Sequence, residues 1–414
     1  MELEKLKNRP KDLGVRVWIF RVHLWVGITI GLYACFIGTT GSVLMFRGHF
    51  ERAANRDWLA VEPEPGARRL STDEVVALVR ERSPESRIIG LILPQDENGS
   101  FQVTIQASQT GPAAQPGAGG SRSGSPARNQ TLYIHPETGA LLGASQPGGG
   151  FWQWMHVFHG SLQAGRTGRV INGYAGILMV IMCLTGLCIW WPGLPSWKRH
   201  LGVNRKAGWK RLVWELHSAT GFWSVLFILV LSLTGIYYTW PDAYRNLISK
   251  ISPLTRNQQP PAVEWDGTAR PLTIGSLVTI AEETLPGKKV SRVRMSPGGK
   301  QAVQMMLPES PSEESRNVNS IYLNPYTGEV MKKDLLQNWT LGDRLLSWVT
   351  PIHFGTFGGL ALRILYFVLG LSLPLLFITG YVMWWNRVVR KRVFSLSGAG
   401  ERGGEMARSE GEAA

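Results

Sequence analysis

Four apolar runs decide what this chain can fold into. Gly27 to Phe46, Tyr174 to Trp191, Phe222 to Trp240 and Ile364 to Trp385 contain no Asp, Glu, Lys, Arg or His. At about 1.5 Å per residue, each is long enough to cross a hydrocarbon core of about 30 Å as a helix. Buried helices of a water-soluble protein are shorter and more amphipathic, so the runs predict four membrane spans. A lipid bilayer is the first partner the chain calls for.

A second pattern lies on the first. His23 to Gly41 spans 18 residues, as does His217 to Gly235, and both stretches end in Thr-Gly. His159 to Gly186 spans 27 residues, as does His353 to Gly380, again ending in Thr-Gly. Four histidines therefore head four apolar segments in the order short, long, short, long. This is the pattern of a tandem duplication. The Thr-Gly pairs have no chemistry evident from sequence, and helix packing is the role their small size suggests.

The formal net charge of +14 would suit a nucleic-acid binder, but its distribution does not. Lys5, Lys7, Arg9, Lys11 and Arg16 precede the first span. Lys198, Arg199, Arg205, Lys206, Lys210 and Arg211 fill the loop between the second and third spans, and Arg387, Arg390, Lys391 and Arg392 follow the fourth. If every run crosses, all three clusters fall on one side, which is the positive-inside pattern. Both termini and the basic loop are then cytoplasmic, and no nucleic-acid partner is expected. The first apolar run is too long for the core of a cleavable leader. The three cysteines, Cys35, Cys183 and Cys188, all lie in spans, so no disulfide framework is expected outside the membrane.

The expected organisation is a cytoplasmic N-terminus (1–17), a first span (18–48), an outer domain (49–150), an outer-interface segment (151–168) and a second span (169–192). A basic loop (193–212), a third span (213–240), a second outer domain (241–350), a second interface segment with the fourth span (351–386) and a cytoplasmic tail (387–414) follow. In the first outer domain, Ser71-Thr-Asp-Glu reads as an N-cap with an acidic first turn, opening a helix to about Arg82. Arg87 to Leu93 and Phe101 to Gln106 read as strands, and Thr131 to Leu142 as strand, turn, strand. The Gly/Pro/Ser/Ala-rich stretch Gly111 to Asn129 reads as a disordered insertion. The second outer domain repeats this order, with a helix from Thr273 to Thr284, strands at Lys289–Met295 and Ala302–Leu307, and a closing turn at Ile321–Val330. His135 aligns with Asn324 in that turn, which argues against a ligand role for it.

The four repeated histidines carry the chemistry. Iron in a haem with two imidazole ligands needs histidines on different helices at equal membrane depth. His23 and His217 open spans that run outward, so both lie near the cytoplasmic face; His159 and His353 precede spans that run inward, so both lie near the outer face. The expected sites are an inner haem b on His23 and His217 and an outer haem b on His159 and His353, with His156 an alternative to His159. No Cys-x-x-Cys-His occurs, so the haem would be held non-covalently. Gly27 and Gly31 follow His23 at helical spacing, and Gly221 follows His217. They could let a porphyrin lie on the backbone or let helices pack closely. Arg169 and Arg363, each ten residues after a histidine, could pair with haem propionates or anchor the interface. Trp154 and Trp348, five before His159 and His353, suit an aromatic belt. His49 has no counterpart in the repeat, and His200 sits in the basic loop. Twenty-seven residues of unbroken helix would overreach the membrane, so breaks are expected at Gly165-Arg-Thr-Gly168 and at Gly355 to Gly359.

The strand-turn units around His135-Pro-Glu-Thr-Gly and Asn324-Pro-Tyr-Thr-Gly resemble PepSY domains. The Thr-Gly runs with Trp190-Trp191 and Trp384-Trp385 resemble the PepSY-associated transmembrane family of bacterial inner-membrane proteins, over about Val17 to Arg392. The resemblance implies four transmembrane helices in two tandem repeats, each carrying a periplasmic α+β PepSY-like domain. It also implies a di-haem reductase passing electrons from the cytoplasmic side to a ferric siderophore or other chelated iron. No Gly-x-Gly-x-x-Gly strand-turn-helix is present, so a separate donor is expected: quinol, reduced flavin or a flavoprotein. The alternative is a non-catalytic PepSY membrane module for sensing, peptide or protease binding, or uptake of an iron complex. A metal permease using the histidines is disfavoured by the lack of acidic residues in the spans.

Overall fold

A computed structural model describes residues 14–64, 66–106, 129–145, 150–256, 259–264, 269–296, 298–310 and 317–389. The expected insertion lies outside these residues except for Asn129, and so do most of the terminal basic residues. The chain divides into two compact units: a helical one from Phe46 and its preceding residues, Met155–Pro241 and Ile352 onward, and one built on a sheet from Arg47–Trp154 and Asp242–Pro351.

In the helical unit four helices are long and apolar enough to cross a membrane: Val15–Leu44, Gly165–Trp190, Trp209–Thr239 and Gly359–Val388. Each packs on the next, and the fourth closes on the first. Only 17 to 22% of each span's most apolar window is buried inside the protein. The rest presents side chains such as Leu226, Trp223, Ile378 and Phe36 outward. An outward apolar surface of this extent is stable against lipid, not water.

The spans begin and bend where backbone chemistry requires. The helix Gly150–Ser161 ends in a turn that puts Leu162 and Gln163 at φ 51° and 58°, before Gly165 at φ 55° opens the second span. The break thus falls at Leu162–Ala164 and not across Gly165–Gly168. Gly168 serves a different end: a Cβ there would strike the Ser161 carbonyl, so the glycine lets the turn close. The helix Leu341–Phe354 stops at Gly355, φ 60°, and the fourth span starts from Gly359, φ 65°. That span, one apolar run in the sequence, is divided at Leu371 into Gly359–Gly370 and Ser372–Trp384. Pro374 has no N–H to give the Gly370 carbonyl, which accounts for the division. At one end of the bundle Arg16 donates to the carbonyls of Ile189 and Trp191, capping the second span, and Arg387 lies over the Phe20 ring at 5.1 Å.

In the sheet unit, eight antiparallel strands stand in the order β4-β3-β2-β1-β5-β6-β7-β8. They are β1 Arg87–Ile92, β2 Phe101–Gln106, β3 Asn129–Ile134, β4 Leu141–Ala144, β5 Arg292–Arg294, β6 Val303–Pro308, β7 Val318–Leu323 and β8 Val330–Asp334. From sequence the two halves are separate domains; in the structure β1 pairs with β5, Gly90 opposite Arg294 and Ile92 opposite Arg292, and they share one sheet. An isolated half would leave a row of unpaired N–H and C=O groups on that edge.

The alternation of β2 places Phe101, Val103 and Ile105 in the core, and β6 and β7 add Met305, Leu307, Ile321 and Leu323. Val75 and Val79 of the helix Thr72–Arg82, and Leu277 and Ala281 of Ile274–Thr284, cover this face. Ser71 and Glu74 form a capping box at the first helix, and Thr273 caps the second. The two helix N-termini meet, since the Asp73 carboxylate accepts from the Gly275 N–H at 2.8 Å. A carboxylate there offsets two converging positive helix ends.

Candidate functional site

The four repeated histidines lie in the helical unit as two pairs. His23 of the first span and His217 of the third have ring centres 6.5 Å apart, with planes at 87°. His159, in the helix before the second span, and His353, in the helix before the fourth, have ring centres 6.3 Å apart at 55°. His156, three residues before His159, stacks its ring on Phe354, next to His353, at 6.5 Å between centres. His135 accepts from the Glu137 and Thr138 N–H groups in its turn, and His200 Nδ1 meets the Ser196 carbonyl.

The Thr-Gly pairs hold these histidines. Nδ1 of His23 lies 3.0 Å from Thr185 Oγ1, and Nδ1 of His217 lies 2.9 Å from Thr379 Oγ1, each partner 162 residues on. Nδ1 of His159 lies 3.1 Å from Thr40 Oγ1, and that of His353 lies 2.9 Å from Thr234 Oγ1, each separated by 119 residues. The following glycine makes room for the ring. A Cβ at Gly41, Gly186, Gly380 or Gly235 would come within 2.9, 3.0, 3.2 or 3.6 Å of the Cε1 of its histidine. Sequence reasoning missed this role because the contacts join residues on different helices. The signal was present in the equal spacing of His and Thr-Gly in the two halves.

Position along the helices separates the pairs. His23 and Thr40 share the first span, as His217 and Thr234 share the third, and 17 residues of helix amount to roughly 25 Å. One pair therefore sits near each end of the bundle.

A cavity of about 340 Å³ opens beside His23 and His217, within the range of ligand pockets. Gly27, Gly31, Gly221, Gly186 and Gly380 all line it. Phe377 closes on Gly31 and Met182 on Gly27, whereas Leu376 only touches the position of Gly221, at 3.7 Å. Arg387 lines the same cavity, a cation beside an otherwise apolar wall. The equivalent arginines of the two halves part company: Arg169 is exposed, while Arg363 is 5% exposed. The halves differ again between the pairs. In the first, Tyr33 donates to Asn172, whose Nδ2 donates to the His159 carbonyl at 2.7 Å; in the second, Phe227 and Tyr366 make a ring contact at 4.9 Å.

Residues 20–387, nearly the whole of the region that carries the spans and both pairs, match the family described as the PepSY-associated TM region. The chain belongs to that family. Among curated proteins it is similar to the uncharacterized protein PA4219 of Pseudomonas aeruginosa, 24% identical over 257 residues. That match covers 55% of this chain and 62% of the relative, so the chain spans less than two thirds of that protein. Family membership accounts for a multi-pass membrane protein and is silent on what the histidines hold.

Proposed function

We propose that this family member is a di-haem b oxidoreductase of the bacterial inner membrane that moves electrons from the cytoplasmic side to a periplasmic acceptor. The carrying observation is the separation within each histidine pair. An imidazole nitrogen binds a first-row metal at about 2 Å, so two imidazoles in line across one iron have their ring centres about 6 Å apart. The values of 6.5 and 6.3 Å suit this arrangement. Among the described residues no three His, Cys, Asp or Glu side chains converge as a metal site. Two imidazoles suit a cofactor that brings its own equatorial donors better than a bare ion needing four ligands.

Bound haem supplies one-electron transfer; the chain supplies ligands, seats and insulation. His23 and His217 would hold one group beside the cavity, with Arg387 placed to meet its carboxylates. His159 and His353 would hold the other, and Arg363 is the buried cation on that side of the fourth span. We read the two halves as a tandem duplication, with PepSY-like outer domains in the periplasm. The basic residues Arg16, Lys198, Arg199 and Arg387 would mark the cytoplasmic end. The donor would be a quinol, reduced flavin or flavoprotein. The acceptor would be a ferric siderophore or other chelated iron, whose Fe(III) takes up the electron to leave as Fe(II).

The test is a reduced-minus-oxidised spectrum of the protein purified after expression with haem supplied. Two haem b α-bands are expected, with His217→Ala and His353→Ala each removing about half of the haem. A preparation with no α-band would sink the reading, and full haem content in both variants would sink the ligand assignment.

A further inference from the structure

The threonine of each Thr-Gly pair has a hydroxyl with one proton and two claims on it. Thr185 Oγ1 lies 2.7 Å from the Ile181 carbonyl, Thr379 Oγ1 2.7 Å from Leu375, Thr40 Oγ1 2.8 Å from Phe36 and Thr234 Oγ1 2.9 Å from Val230. A carbonyl oxygen can only accept, so the hydroxyl proton must point to it; otherwise two lone-pair oxygens would face each other at those distances. Toward the histidine the hydroxyl is then an acceptor. The proton between Oγ1 and Nδ1 belongs to the ring.

We propose that Thr40, Thr185, Thr234 and Thr379 are positioning residues that hold all four histidines as Nδ1–H tautomers, leaving each Nε2 as a bare lone pair. The arrangement occurs four times with the same polarity. In each pair it leaves two unprotonated Nε2 atoms, the form in which two imidazoles can share one iron. A hydrogen bond from Nδ1–H also raises the basicity of Nε2 as a ligand. This use of the tautomer rests on the haem reading; the tautomer itself does not.

The two are separated by measuring the tautomer first, in the full-length chain purified without haem and labelled with 15N-histidine. Imidazole 15N shifts are expected to show the four paired histidines as Nδ1–H rings, joined by His200, whose Nδ1 faces the Ser196 carbonyl. His135, whose Nδ1 accepts from two backbone N–H groups, provides the opposite tautomer in the same spectrum. Thr185→Val, equal in volume but without the acceptor, is expected to change the His23 signal alone, and Thr185→Ser to restore it. In the haem-loaded protein, Thr185→Val is expected to weaken haem binding at the His23–His217 pair by about 10- to 100-fold. It should also shift one of two midpoint potentials to a more positive value, again with recovery in the serine variant. Nε2–H at His23, His159, His217 or His353 in the wild-type chain would overturn the proposal. So would a valine variant with wild-type 15N shifts, haem affinity and potential. A wild-type chain with Nδ1–H rings and no capacity for haem would support the tautomer and refute the oxidoreductase.

Discussion

Alanine at the four seat glycines separates a histidine seat from ordinary helix packing, because the four positions leave different amounts of room. Carbon atoms in comfortable contact stay about 3.5 Å apart or more. A Cβ at Gly41 or Gly186 would reach its histidine ring at 2.9 or 3.0 Å, about half an ångström too close. At Gly380 the distance is 3.2 Å, and at Gly235 it is 3.6 Å, ordinary contact. Overpacking of this kind costs about 1–3 kcal/mol, whereas glycine to alanine within a helix contributes up to about 1 kcal/mol in the other direction. Gly41→Ala and Gly186→Ala should therefore lose about 1–2 kcal/mol, Gly380→Ala less, and Gly235→Ala should be neutral or slightly stabilised. Since about 1.4 kcal/mol is a tenfold change, haem affinity at the affected pair should drop roughly tenfold in the first two and not in the last. Thermal unfolding in detergent and haem titration read the two effects. A double variant Gly41→Ala with His159→Ala should recover the stability lost by the first change, because the colliding ring is gone. If Gly235→Ala is as damaging as Gly41→Ala, or if the double variant shows no recovery, the glycines are not histidine seats.

Other consequences follow from single contacts. A Cβ at Gly370 would strike Ser42 Oγ, a buried hydroxyl with no hydrogen-bond partner; Gly370→Ala should cost about 1–3 kcal/mol, recovered by adding Ser42→Ala, as thermal unfolding would show. In the sheet unit, Asp343 is 2% exposed and accepts from the backbone and hydroxyl of both Thr255 and Thr340 and from the Arg256 N–H. Asp343→Ala should therefore destabilise by about 3 kcal/mol in denaturant unfolding. Burial opposes ionisation of that carboxyl, yet the hydrogen bonds hold its pKa below the ordinary 3.8. Its contribution is thus present above that value and should disappear as pH falls through the lower folded value, a loss Asp343→Asn should not show. Asp73→Ala removes the acceptor for the Gly275 N–H and should cost about 1 kcal/mol, an effect weakened by salt.

Much of the architecture was legible along the chain because its causes are local. A run such as Phe222 to Trp240 declares a span by length and apolarity alone, and Ser71 with Glu74 declares a helix start by side-chain reach. The pairings of His23 with His217 and of His159 with His353 also followed from counting crossings, and both pairs are brought together. Three things were not readable in this way. The break before the second span fell at Leu162 and Gln163, residues with no intrinsic preference for positive φ, because closing the turn against Gly168 imposes it. The two strand-bearing segments share one sheet because the edges of β1 and β5 meet, and strand partners are not written in either strand's own pattern. The Thr-Gly pairs showed only their regularity in sequence. Their purpose depends on a hydroxyl of one helix reaching a ring on another, and such a contact exists only once the helices have packed.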